Sequence, residues 1–136
     1  PLWVSEGIAT CFETPDLTNA RGWKGIGGIN TARLDRFLQG WRPGGLREIV
    51  AGDEPFRRAT DGLDAYARAW ALTHFLMKAK RDAFAGYLRT IAAKRPCGDD
   101  SPERRLTEFE AAFGATPDAL EPEVQRMMAR LHARGP

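Results

Sequence analysis

The chain is short of the residues that staple or ligate. It holds two cysteines and two histidines in 136 residues. Cys11 lies in an apolar stretch, where it reads as a buried thiol, and Cys97 in a Pro/Gly/Asp loop. Such a pair is no disulfide framework and has no metal-cluster spacing. His74 and His132 are nowhere near His-x-x-x-His spacing, so these residues alone cannot supply the three ligands of a catalytic zinc. No apolar run approaches the ~20 residues of a membrane span, and the opening residues are no signal peptide. Gly22, Gly25, Gly27 and Gly28 cluster, but their spacing matches neither phosphate-loop pattern. There are no internal repeats. Charge of one sign is also missing: the formal net charge is +2, and Arg and Lys alternate with Asp and Glu. That argues against a nucleic-acid partner and for a solvated helical surface. Compartment is left open.

What is present is helix, repeatedly. Asn30 or Thr31 can cap a helix carrying Leu34, Phe37, Leu38 and Trp41 at three- and four-residue spacing. Pro43-Gly44-Gly45 breaks it, a short helix spans 46–51, and a loop runs through Pro55. A long helix begins at Asp61, and another spans 82–94 with Phe84, Tyr87, Leu88 and Ile91 inward. Ser101-Pro102 reads as N-cap and first turn of a helix that Gly114 ends. Thr116-Pro117 opens the last, whose inward stripe is Leu120, Val124, Met127, Met128 and Leu131. The expectation is an all-α bundle of five to seven helices, a single domain over 1–136.

Two stretches are apolar almost all round and so belong against a core. In the first, Pro1–Glu13, the exception is Glu6, whose burial costs several kcal/mol unless a cation, metal or set of donors meets it. Gly7 follows, at ~1 kcal/mol against Ala in a helix interior. Two readings fit: a carboxylate placed for a site, or a first-turn acid favoured by the helix dipole and facing water. The second stretch, Leu63–Met77, is the expected central helix. Tyr66 and Thr73, seven apart, share a face of it; Arg68 points to the far side. Tyr66 is either a site residue or a buried tyrosine bonded to a backbone carbonyl. His74 is either a satisfied core histidine or a site residue. Between the stretches, the 17–30 region reads as a connecting loop, or as a segment beside a cleft with Trp23 or Asn30 touching a peptide. Asp99 and Asp100 could hold a cation only weakly.

Trp3-Val4-Ser5-Glu6-Gly7-Ile8-Ala9 resembles the third-ligand helix of the gluzincin metallopeptidases, Trp-Leu-x-Glu-Gly-x-Ala, with Ser5 where many members carry Asn. Tyr66-x-x-x-Trp70-x-Leu72-x-x-x-Leu76 is similar to the helix that supplies their catalytic tyrosine, with Arg68-Ala69 in place of Lys-Gly. The resemblance implies the helical C-terminal part of a zinc peptidase of bacterial type, truncated before its His-Glu-x-x-His helix. Glu6 would then be the third zinc ligand and Tyr66 the oxyanion stabiliser, acting on a peptide or protein substrate. Zinc is expected in the intact parent but not tightly bound by this chain. A first helix stripped of its upstream neighbour would expose apolar surface and invite a homodimer. The alternative is a non-catalytic helical binding or scaffolding module that keeps the peptidase-like fold.

Overall fold

The computed structural model describes residues 1–14, 28–95, 98 and 100–135. Among them the chain forms eight helices and no strand: α1 (Leu2–Cys11), α2 (Thr31–Gln39), α3 (Gly45–Ala51), α4 (Glu54–Arg57), α5 (Gly62–Ala79), α6 (Arg81–Ala92), α7 (Pro102–Phe113) and α8 (Pro117–Arg134). The all-α expectation is met. The one-turn α4 falls where a loop was expected; Pro55 sits in its first turn, where a missing N–H costs nothing.

Local chemistry sets the boundaries. Asn30 Oδ1 accepts from the Arg33 N–H, Ser101 Oγ from Arg104 and Thr116 Oγ1 from Ala119, so three helices start on side-chain caps. Gly114 ends α7 in the left-handed region at φ 68°, which a residue with a Cβ adopts only at a cost. Gly44 does the same before α3, at φ 79°. That helix has no side-chain cap of its own. Glu121, from α8, takes the role: its buried carboxylate accepts from the N–H of Gly44 at 2.8 Å and of Leu46 at 3.0 Å.

α5 is the axis of the bundle and packs against α1, α2, α3, α4, α6 and α8. Ala65 and every residue from Ala67 to Leu76 are buried. At the start of α1, Trp3 stacks on Tyr87 of α6 at 5.7 Å and meets Phe109 of α7 edge-on at 6.0 Å. Each fully buried Leu- or Phe-sized side chain contributes ~1.5–3 kcal/mol, so this aromatic cluster ties α1, α6 and α7 together. α1 itself is half-sunk rather than enclosed. Trp3, Val4, Gly7, Thr10 and Cys11 are buried, whereas Ser5, Ala9 and Phe12 face outward. Its composition, apolar on every side, gave no warning of the open face.

The Arg residues of the 33–58 region pair with carboxylates, as a solvated face should. Arg33 pairs with Glu13, Arg36 with Asp64, Arg42 with Glu48 and Arg47 with Asp118. A deeper network begins at Asp53. Its carboxylate accepts from Arg105 at 2.7 and 3.2 Å and from the Leu2 N–H at 3.0 Å. Arg105 also binds Asp100, which in turn meets Lys94 at 2.6 Å. Asp100 is therefore committed to the chain's own cations and is no vacant cation ligand. Among the described residues no helix is long and apolar enough to cross a membrane.

Candidate functional site

The crossing of α1 and α5 is set by Gly7. A Cβ there would lie 2.1 Å from Thr73 Oγ1 and 2.7 Å from the Ala69 carbonyl oxygen, so only glycine lets the helices approach this closely. Glu6, next in line, is half-buried, and among the described residues its carboxylate has no hydrogen-bond or ion-pair partner. Ser5 Oγ instead donates to the Leu2 carbonyl, and Thr10 Oγ1 to those of Glu6 and Gly7.

Because Thr73 lies under Gly7, the face of α5 shared by Thr73 and Tyr66 is the one turned toward α1. Tyr66 is half-buried at the edge of that face. Its ring meets Phe56 edge-on at 5.3 Å, and the Arg33 guanidinium lies 5.7 Å from the ring centroid. Arg33 is itself fixed by two bonds of 3.1 Å to Glu13, just past the end of α1. Asn30 donates to the same carboxylate at 3.0 Å. The two expected site residues thus sit on helices in direct contact. Sequence reasoning did not find Arg33, Glu13 and Phe56 beside Tyr66, since nothing local relates three segments so far apart in the chain.

Asn30 has both ends of its amide engaged, capping α2 through Oδ1 and holding Glu13 through Nδ2. Trp23, the Gly22–Gly27 stretch and Cys97 lie outside the described residues. Cys11 is a buried free thiol whose pKa burial pushes up to about 11, with Lys78 pulling the other way, so it is inert at neutral pH. His74 is buried against Trp70 at 5.3 Å, its Nδ1 without a hydrogen-bond partner. Burial, then the nearby Lys78, lowers its pKa and keeps the ring neutral. Arg68, pointing away from α1 as expected, is buried and donates to the Gly40 carbonyl at 3.0 Å while Nη1 has no partner. His132 pairs with Asp35 at the surface. Among the described residues no three His, Cys, Asp or Glu side chains are grouped to hold a metal ion.

Residues 1–98 match the model of a family described as a protein of unknown function, DUF1570. The chain belongs to that family. The match covers α1 through α6, and with them Glu6 and Tyr66; α7 and α8 lie beyond it. No curated protein matches the chain, and no solved structure does. What the DUF1570 stretch does has therefore to be argued from its own residues.

Proposed function

We propose that this chain is the helical C-terminal part of a zinc-dependent peptidase of gluzincin type. The observation that carries the reading is the pairing on α1 of a half-buried, unpartnered carboxylate with a glycine pressed against the helix that bears Tyr66. The resemblance of Trp3–Ala9 to a third-ligand helix supplies the chemistry. A carboxylate that the described residues leave unpaired is available to a cation brought from outside them.

The chain's own residues do not make a zinc centre, since Glu6 offers one ligand and no described His, Cys, Asp or Glu joins it. The remaining ligands would come from a His-Glu-x-x-His helix outside residues 1–136. Zinc bound there would polarise a peptide carbonyl and activate water. Within this chain, Glu6 offers its carboxylate oxygen, Gly7 sets how closely α1 approaches α5, and Tyr66 donates its phenolic proton to a developing oxyanion. The substrate would be a peptide or protein. In the chain without that upstream helix, a homodimer through the open face of α1 belongs to the same reading, with Phe12, 42% exposed, at the helix's end.

The competing reading is a helical binding module that keeps the fold without the chemistry. The preceding coding sequence distinguishes them: a His-Glu-x-x-His motif in the ~60 residues before Pro1 is expected, and its absence leaves only the binding module.

A further inference from the structure

A groove of ≈540 Å³ runs between the C-terminal halves of α5 and α8. Its rim carries Arg126, Arg130 and Arg134 from α8 and Lys78 from α5. All three arginines are exposed, and among the described residues none of the four cations has a carboxylate partner. Among the described residues Glu123 is the one acid on the rim. The groove's net charge of +3 thus exceeds the +2 of the whole chain, so the remaining surface is close to neutral or slightly acidic. Helix dipoles account for Lys78 and Arg134, in the last turns of α5 and α8, but not for Arg126 or Arg130. Along the seam lie Met127 and Leu131, both half-buried, and His74 lines the groove with its Nδ1 unpartnered.

We infer that this groove docks an acidic amphipathic helical segment of a partner protein. The arginines recur every fourth residue, ~6 Å apart along α8. A partner helix with carboxylates at the same four-residue interval presents charges at the matching pitch, and its apolar row would cover Met127 and Leu131. A single-stranded nucleic acid would want aromatic platforms beside the cations, and among the described residues the only ring lining the groove besides His74 is Phe75, which is buried. A membrane surface would want large apolar side chains standing proud, and here they lie half-buried in the seam. The inference stands apart from the peptidase reading and needs neither Glu6 nor Tyr66.

The test is fluorescence anisotropy with a labelled helical peptide carrying Glu at every fourth position beside a Leu row. Wild-type chain binds it, more weakly as salt rises. The surface variant R126Q/R130Q/R134Q, with an unchanged circular dichroism spectrum, loses at least about tenfold in affinity. The control variant R57Q/R58Q, exposed on another face, binds as wild type. Equal binding by the triple variant overturns the inference. So does tighter binding to labelled oligothymidylate, or to phosphatidylserine vesicles, than to the peptide.

Discussion

Gly7 and Thr73 meet where α1 crosses α5, with the space for a Cβ on Gly7 already taken by the Thr73 hydroxyl, 2.1 Å away. The helix-breaking residue of the first stretch is thus a packing requirement. It brings the helix of Glu6 against the helix of Tyr66.

Replacing that glycine measures the requirement. Gly7→Ala gains ~1 kcal/mol of helix propensity but forces the helices apart, at a net cost of about 3 kcal/mol by urea denaturation. Adding Thr73→Ala removes the hydroxyl but not the Ala69 carbonyl, 2.7 Å from the same Cβ position. The double variant therefore recovers only part of the loss. A Gly7→Ala variant as stable as wild type would mean the crossing is looser than described.

The Asp53–Arg105 network sets the acid limit of stability. Burial alone would raise the Asp53 pKa, but the Arg105 hydrogen bonds, the Leu2 N–H and the Arg105 charge outweigh it and hold the value below an ordinary aspartate's. Asp100 is lowered in the same way by Lys94 and Arg105. A carboxyl whose folded pKa is depressed contributes stability in full above its unfolded value, about pH 4, and loses it as pH falls through the folded value. Acid titration of wild type should therefore show stability falling below about pH 4, with a flatter fall in Asp53→Asn. Arg105→Met leaves Asp53 with the Leu2 N–H and Asp100 with Lys94, and the lost charge-assisted bonds cost about 1–3 kcal/mol at pH 7.

Glu121 is the external cap of α3. Glu121→Ala leaves the N–H groups of Gly44 and Leu46 without their acceptor in a buried setting and costs about 2–3 kcal/mol. Glu121→Gln keeps one acceptor oxygen and costs less. Hydrogen exchange at Leu46 reads the effect locally, because loss of the cap should speed exchange there before it speeds exchange in α5.

The reach of the sequence can be seen in these same residues. Period and caps were legible because they are local: Ser101-Pro102, Thr116-Pro117 and the run from Ala65 to Leu76 state their own structure. Arg105 and Glu121 were not, because their partners lie 52 and 75–77 residues away, and nothing in a single sequence relates such positions. The half-open face of α1 was hidden by composition, since Ala9 and Phe12 are apolar yet exposed. At the site, the Glu-Gly pair was visible as an oddity of pattern, whereas the reason for the glycine, Thr73, required the fold.

In the peptidase reading Tyr66 acts only when negative charge develops. Tyr66→Phe in the full-length protein should lower kcat by about 10²–10³-fold with KM little changed. Because the ring keeps its packing on Phe56, stability should move by less than about 1 kcal/mol. A change in KM alone would make Tyr66 a binding residue instead.

The most direct measurement is zinc content by elemental analysis, on the full-length gene product, on its Glu6→Gln variant and on the isolated 136-residue chain. The expected result is about one zinc per full-length molecule, a large loss in Glu6→Gln, and no stoichiometric zinc in the isolated chain. Zinc retained undiminished by Glu6→Gln, or none in the full-length protein, would contradict it.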